Sequence, residues 1–416
     1  INKLGSQNQE LGIKATVDTL ADLLVENLSQ GSGALRSKLP GLLEKCELLM
    51  RIQDEYRIQT EESTAWNDEF LSQKAALSNE AHRIDTERED RTRKKFGEIV
   101  RKLSLMHGNA NVPRDIYPIF DTQLPADANQ RVCVWVRDGW STDENSVRAD
   151  ARQAGNQSPT VFVFIPKRSA DDLRTHLINY KAAAATLDKR GVPGTPEGTE
   201  ARAAMETAKQ SAEGKIRELL EDAFSGARVF QAGGNEVLGN NLQDMVLEAA
   251  ENSLQRLYPQ FQMADHAQWA KVYEKAQKGA PDALKAVGDE GEPVKNSVCK
   301  AILGFLAGGK RGVDIRTQFE SAPYGWSRDA VDGALQVLLV AGLVRAQDER
   351  GQVLDPKELE RKTVGKVIYK VESATITTAQ RIQLRKLFQK LDLSARQGEE
   401  LACALPFLQK MLTLAE

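Results

Sequence analysis

The 416-residue sequence predicts a mainly α-helical protein with a small α/β layer, and three observations support this fold class. Apolar side chains recur at helical spacing within residues 41–112, two continuous apolar runs follow, and helical patterns dominate again from residue 242 onward. The expected parts are a long helical N-terminal region (1–112), an α/β subdomain (125–240), a helical connector (241–291), a winged helix-turn-helix (292–362), and a strand with basic C-terminal helices (363–416).

The composition is typical of a soluble protein, with 41% hydrophobic and 28% charged residues. A net charge of -3 predicts no general attraction to nucleic acid or to anionic membranes, so any such site must be local. The cysteines Cys46, Cys133, Cys299 and Cys403 lie far apart, and the four histidines are equally dispersed, so we expect reduced thiols in the cytoplasm and no structural zinc. No apolar run predicts a membrane span. Because the chain begins with Ile1, we expect a fragment of a longer protein.

The N-terminal region contains no proline between residues 41 and 112, which favours long helices. No apolar side chain occurs within residues 85–95, although helical periodicity is present on both sides of this stretch. We therefore expect long antiparallel helices whose middle projects into solvent. The mixed charges of residues 87–95 are interpreted as a solvated helix face and not as a binding surface.

The α/β subdomain follows a linker that is marked by Pro113, Pro118 and Pro125. Buried strands are predicted at residues 131–138 and 160–166, because both runs are continuously apolar. Helix starts are predicted at Ser141, which has Glu144 three residues later, at Ser169, and at Thr195 before Pro196. A strand at 227–231 and a helix at 242–257 complete the pattern, which implies a parallel pair of strands in a small α/β layer.

Two patterns resemble catalytic motifs but have simpler interpretations. Asp138 follows a strand, as the magnesium-associated aspartate of P-loop enzymes does, yet no phosphate-binding loop precedes it, and turn formation explains it as well. Residues 304–311 read G-F-L-A-G-G-K-R, and Arg311 stands where the phosphate loop needs a Ser or Thr hydroxyl to bind magnesium. The preceding residues have a helical period and not that of a strand, so we interpret the stretch as a helix-ending Gly-Gly turn.

The winged helix-turn-helix is predicted from three helices and a hairpin in that order. The second helix covers residues 313–320, Ser327 caps the third, and Trp326 with Val331 forms a hydrophobic staple. Gly342 stops the third helix, and residues 343–354 form the hairpin. The third helix is expected to expose the side chains Arg328, Asp329, Asp332 and Gln336.

Charge disfavours DNA reading by that third helix. Residues 292–362 contain 11 Lys/Arg and 10 Asp/Glu, and two acids on the exposed face would repel phosphates. We therefore favour protein docking or internal packing. Residues 366–396, with seven Lys/Arg and two acids, are more basic. The candidate nucleic-acid contacts are Arg381, Arg385, Lys386 and Lys390 on a helix at 378–391, together with Lys310, Arg311 and Arg328.

Several blocks of the sequence resemble the BrxC family, also called PglY, the large P-loop ATPases of bacterial BREX phage-defence systems. The resemblance covers most of residues 130–390 and is looser in the N-terminal region. The blocks are T-V-F-V-F-I-P-K-R-S-A-D-D-L-R (160–174), K-R-G-V-P-G-T-P-E-G (189–198), A-F-S-G-A-R-V-F-Q-A-G-G (223–234), N-S-L-Q-R-L-Y-P-Q-F (252–261), K-G-A-P-D-A-L-K-A-V-G (278–288), P-Y-G-W-S-R-D-A-V-D-G-A-L (323–335) and T-I-T-T-A-Q-R-I-Q-L-R-K-L (375–387).

The resemblance implies a parent ATPase whose phosphate loop, with its ATP and magnesium, lies in an N-terminal part outside this sequence. It implies no catalytic residue and no cofactor within this chain, and a cytoplasmic role beside BrxB, PglZ and the methyltransferase PglX. The leading hypothesis is a non-catalytic, protein-interacting C-terminal region of such an ATPase. The alternatives are DNA binding through the winged helix or the basic helix, and ATP hydrolysis by this chain itself. Self-association remains open.

Overall fold

The computed structural model describes residues 14–26, 31–46, 49–52, 54–58, 61–372, 378–395, 400 and 403–415. Ile1 and residues 373–377 and 396–399 of the predicted parts lie outside these ranges. The helices are α1 (Val17–Leu23), α2 (Gly33–Leu43), α3 (Glu61–Asn79), α4 (Ala81–Arg101), α5 (Glu144–Gln153), α6 (Ala170–Arg190), α7 (Pro196–Ser225), α8 (Leu242–Leu257), α9 (Trp269–Gln277), α10 (Ser297–Phe305), α11 (Gly312–Glu320), α12 (Arg328–Val340), α13 (Thr378–Gln389) and α14 (Ala404–Ala415).

Among the described residues the strands are short and form four sheets. They are β1 (Leu49–Ile52), β2 (Glu55–Ile58), β3 (Leu105–His107), β4 (Val112–Arg114), β5 (Ile116–Ile119), β6 (Val132–Asp138), β7 (Val161–Ile165), β8 (Arg228–Gln231), β9 (Glu236–Val237), β10 (Lys310–Arg311), β11 (Val344–Gln347), β12 (Val353–Leu354) and β13 (Ile368–Val371). The predicted class, mainly helical with a small α/β layer, is confirmed. In the described ranges no helix combines the length and the apolar character that crossing a bilayer requires.

The chain forms two compact units that do not follow the five predicted parts. The helical unit contains residues 1–97 and 166–226, and the sheet unit contains residues 98–165 and 227–416. The predicted α/β subdomain (125–240) is therefore divided, because α6 and α7 pack against each other and against α3 within the helical unit.

The core of the helical unit forms around Trp66 of α3, which is 2% exposed. It packs with Ala183 of α6 and with Ala201 and Met205 of α7. The small side chains of Ala183 and Ala201 allow α6 and α7 to approach the indole ring closely. The apolar spacing that predicted long helices was correct, but the packing partners of α3 are the later helices α6 and α7.

The charged middle of α4 is the predicted solvated face on one side only, where Glu89, Asp90 and Lys94 are exposed, whereas its other side packs against later helices. Glu87 accepts a hydrogen bond from Lys181 of α6 at 2.9 Å, and Arg91 donates one to Glu213 of α7 at 2.8 Å. The Arg91 guanidinium also lies 4.5 Å from the ring centroid of Tyr180. Glu87 and Arg91 therefore bind α4 to α6 and α7 through ion pairs between side chains.

The main sheet of the sheet unit has the strand order β5-β6-β7-β8-β9. The predicted parallel pairing of β6 with β7 is confirmed, and every residue of β7 is buried. β5 pairs parallel to β6 at the edge, within the stretch that the sequence analysis assigned to a linker because of its prolines. An edge strand tolerates Pro118, because one side of its backbone needs no hydrogen-bond partner.

Helix starts in this region are only partly those predicted. α5 is capped by Asp143, whose side chain accepts from the Ser146 amide, and not by Ser141. Ser141 and its neighbour Trp140 instead donate to the carboxylate of Asp138, which forms the turn after β6. Thr195 caps α7 as predicted, whereas Ser169 precedes α6 without a capping hydrogen bond from its side chain.

A second core in the sheet unit joins α9, α10, α11 and α12 to the sheet β10-β13-β11-β12. Ser327 caps α12, Trp326 and Val331 are both buried, and Gly342 has the left-handed φ of +66° that stops the helix, all as predicted. Two boundaries differ. α9, assigned to a connector, contributes Trp269 and Tyr273 to this core, and β13, beyond the predicted end at residue 362, lies between β10 and β11.

His107 is buried beside this core. Its ring stacks on Phe261 with centroids 3.6 Å apart, and Tyr258 lies against it at 5.5 Å. The nearby Arg114 guanidinium lies 4.3 Å from the Tyr258 ring centroid. Burial, assisted by the positive charge of Arg114 and opposed by Asp265, lowers the pKa of His107 to about 4. The imidazole is therefore neutral at neutral pH.

We expect His107 to make the protein less stable in mild acid. The unfolded chain binds a proton near pH 6.5, whereas the folded chain does so only near pH 4, so stability falls as the pH decreases between these values. Between pH 7.5 and pH 5 this single group should cost about 2 kcal/mol of unfolding free energy. Urea unfolding at both pH values measures it, and His107→Phe, which keeps the stack on Phe261, is the control. An equal loss in the variant and in the wild type would contradict the assignment to His107.

Candidate functional site

The G-F-L-A-G-G-K-R stretch has the geometry of a helix end. α10 ends at Phe305, Gly308 and Gly309 both have φ of +85°, and the next two residues form β10. A phosphate loop instead follows a strand and points its amides at the ligand. Here the first amide of α11, that of Gly312, donates to the Val367 carbonyl at 2.8 Å. The interpretation of this stretch as a helix-ending turn is confirmed.

Lys310 and Arg311, two of the candidate nucleic-acid contacts, point to different surroundings. The Lys310 ammonium lies 5.2 Å from the ring centroid of Phe305, whereas Arg311 forms an exposed ion pair with Glu349 at 3.8 Å. Successive residues of a strand alternate between the two faces of a sheet, which explains the separation.

α12, the third helix of this part of the chain, is buried along most of its length. Residues 330–339 are all buried, because α9 packs on one side and residues 355–367, here named the covering segment, pack on another. Gln336 donates to the Pro356 carbonyl of this segment. The Leu359 carbonyl accepts hydrogen bonds at 3.0 Å from Tyr273 and from Gln277 of α9. The covering segment thus packs on the side of α12 that carries Gln336.

Asp332, at the centre of this contact, has no exposed surface and lies between two arginines. Arg316 of α11 donates to both carboxylate oxygens, at 2.8 and 3.0 Å, and Arg361 of the covering segment donates at 3.1 Å. Arg361 also bonds Asp329. Burial alone would lower the pKa of Arg361, but its hydrogen bonds with Asp329 and Asp332 outweigh that effect and raise it.

The prediction that Asp332 and Gln336 are exposed is therefore wrong. A polar residue in every turn of an otherwise apolar helix was interpreted as a solvent face, whereas both side chains meet polar partners inside the protein. Arg328, the remaining candidate contact on this helix, is exposed and forms a two-point ion pair with Glu320 at 3.0 and 3.1 Å. The Arg328 guanidinium is thus already paired with a carboxylate.

The basic helix α13 separates into two kinds of cation. Arg381 and Arg385 both contact the carboxylate of Glu400 at 3.3 Å, and Glu400 is completely buried. Arg381 also donates to the Ala341 carbonyl at the end of α12, so these arginines connect α13 to the rest of the unit. Lys386 and Lys390 are exposed on the opposite side of the helix. Of the four candidate residues on α13, two are structural and two face solvent.

α14 presents large apolar side chains to solvent. Its contact with α13 joins the rings of Phe407 and Phe388, whose centroids are 5.2 Å apart. Four other apolar residues of this 12-residue helix are between 47% and 68% exposed. They are Leu408, Met411, Leu412 and Leu414, here named the α14 apolar face. Clusters of this kind commonly mark interaction sites.

An open groove of about 770 Å³ in the helical unit is lined by α6 and α7. Its charges are largely engaged with one another. Arg202 donates to Glu206 at 3.1 Å, Glu213 accepts from Arg91, and the Lys209 ammonium lies 5.5 Å from the Tyr180 ring centroid. This arrangement is typical of packed helix surfaces and supplies no pair of groups for acid–base chemistry.

The seven candidate residues do not form one site, and no group of His, Cys, Asp and Glu side chains that could hold a metal ion occurs among the described residues. The covering segment was not predicted from the sequence, although its apolar residue Leu359 was a signal that it packs inward. Comparison with protein-family models, with curated proteins and with solved structures finds no match to this chain.

We expect Asp332→Asn to destabilise the sheet unit by about 3–5 kcal/mol, because it removes the buried carboxylate that neutralises Arg316, whose side chain is 17% exposed. Arg361 keeps its ion pair with Asp329 in this variant. Detachment of the covering segment should also speed tryptic cleavage at Lys357, Arg361 and Lys362. Urea unfolding and timed proteolysis measure the two effects. Asp329→Asn, which changes a half-exposed partner of Arg361, should cost less than about 1 kcal/mol. Equal behaviour of the two variants would rule out a central role for Asp332.

Proposed function

We propose that this chain is a non-catalytic region of a BrxC-like BREX ATPase and that it serves as a protein-interaction platform in the defence complex. The sequence blocks that resemble this family support the assignment. The α14 apolar face carries the interaction role, because four large apolar side chains on a single short helix are costly to leave in water. BrxB, PglZ and PglX are the proposed partners, in the cytoplasm.

We further infer that residues 297–371 form a winged helix-turn-helix with a long wing. The sheet order β10-β13-β11 supports this, since the short strand between the first two helices pairs with the last strand of the module. The two strands β11 and β13 then enclose a wing that contains β12 and the covering segment.

The wing affects the alternative hypothesis that α12 recognises a DNA sequence. That role requires base contacts from an exposed helix in the major groove. With Asp332 and Gln336 bonded internally and residues 330–339 buried, α12 offers little surface for such contacts. We therefore favour protein interaction over base recognition by this helix. The exposed lysines of α13 leave backbone contacts by that helix as a separate possibility for experiment.

A pull-down with purified BrxB, PglZ and PglX tests the proposal. We expect at least one of them to be retained, and Leu408→Ser/Leu412→Ser to weaken its binding by about 100-fold, since each leucine loses most of the gain from burial. Leu23→Ser/Leu24→Ser changes two leucines of similar exposure at the end of α1 and is the matched control.

Two results would contradict this proposal. Retention of none of the three proteins by the wild-type chain would remove the interaction role. Equal weakening by the two leucine pairs would show that α14 is not the docking element, even if a partner binds.

Nucleotide binding tests the alternative that the chain hydrolyses ATP. We expect titration with ATP and magnesium to give no saturable heat or fluorescence change, because Lys310 lies over an aromatic ring and the Gly312 amide is already hydrogen-bonded. A micromolar dissociation constant that Lys310→Ala abolishes would restore the phosphate-loop interpretation.

A further inference from the structure

Three cations lie on one face of the sheet β10-β13-β11. Lys370 of β13 stands directly opposite Arg345 of β11, and Arg311 of β10 stands opposite Ile368, two residues before Lys370. Directly opposed residues of an antiparallel pair share a face, as do residues two apart in one strand. Arg311, Arg345 and Lys370 therefore belong to the same face, here named the basic sheet face.

The other face of this sheet lies on the core. Tyr369, opposite both Lys310 and Ala346, is completely buried, and its hydroxyl donates to the Val364 carbonyl at 3.3 Å. The alternation along β13 thus directs Lys370 outward. Its methylene groups lie across Gly309, within 3.1–3.7 Å of the position that a Cβ there would occupy. Because Gly309 has no side chain, Lys370 can extend along the start of β10.

The positive charges of this face are only weakly compensated. Arg311 pairs with Glu349 at 3.8 Å and Arg345 with Glu372 at 4.0 Å, and exposed pairs at such distances contribute little and are screened by salt. Lys366, exposed just before β13, is a fourth cation. Four cations against two carboxylates give a local charge of +2, whereas the whole chain has a net charge of -3.

We propose that the basic sheet face contacts the phosphate backbone of double-stranded nucleic acid without reading its sequence. The face spans two strand spacings, about 10 Å, and so meets about three phosphates of one strand. Single strands are usually held by stacking bases on aromatic side chains, and the one aromatic residue of β13, Tyr369, lies on the buried side. This contact needs no access to α12, and it is independent of the docking role of α14.

Binding of a fluorescent 20-base-pair DNA duplex tests this inference. With about three phosphates neutralised, the affinity of the wild-type chain should fall about 40-fold between 50 and 200 mM salt. Arg311→Gln/Arg345→Gln/Lys370→Gln should bind at least tenfold more weakly at 50 mM salt, with almost no remaining salt dependence. Glu349→Gln/Glu372→Gln removes the two competing carboxylates and should tighten binding several-fold, which loss of folding cannot imitate.

The matched control is Lys386→Gln/Lys390→Gln/Lys410→Gln, which removes three exposed cations of α13 and α14. We expect its affinity and salt dependence to stay within about twofold of the wild type. A larger loss in this control than in the sheet variant would overturn the proposal in favour of α13. An undetectable wild-type affinity would also overturn it, as would tighter binding of a single strand of the same length or an unchanged affinity in Glu349→Gln/Glu372→Gln.

Discussion

The carboxylate of Asp332 has no exposed surface, and Arg316 and Arg361 hold it from two sides. A charge in such a place is tolerated only when its hydrogen-bond partners are complete, because removal from water costs several kcal/mol. The three residues belong to α12, α11 and the covering segment, so each of these elements reaches its final position only when the other two are in place. Gly312 adds a geometric condition, since the Val364 carbonyl lies where a Cβ on this residue would stand. The packing of the whole helix-and-sheet core depends on this arrangement.

Because α12 is buried inside its own module, we place function on other surfaces of the protein. In the sheet unit these are the basic sheet face, with its widely spaced cations, and the α14 apolar face, which carries almost no charge. They suit different partners, since phosphates favour exposed cations and protein docking favours apolar area. Taken together, the two proposals have the sheet unit hold a protein partner near nucleic acid and recognise neither through α12.

Local patterns predicted the elements of this protein better than their partners. The apolar runs of β6 and β7, the cap at Ser327 and the stop at Gly342 depend on neighbouring residues and were read correctly. The positions of Asp332, Gln336, Arg381 and Arg385 depend on residues up to several tens of positions away, such as Arg361 for Asp332. The sequence does not show whether an ionisable side chain faces water or a buried counter-charge, and only the fold distinguishes these cases. The division into units was missed for the same reason.

The helical unit is built from two segments of chain, residues 1–97 and 166–226, and the second lies between the neighbouring strands β7 and β8. This order matters while the polypeptide is being synthesised. Trp66 leaves the ribosome more than 100 residues before Ala183, Ala201 and Met205, so its hydrophobic surroundings cannot close until translation has passed α7. During that interval the apolar side chains of the early helices are not yet buried. β7 also lacks its antiparallel partner β8, which has not been synthesised. Exposed apolar surface of this kind makes folding intermediates prone to aggregation and is what chaperones shield in general.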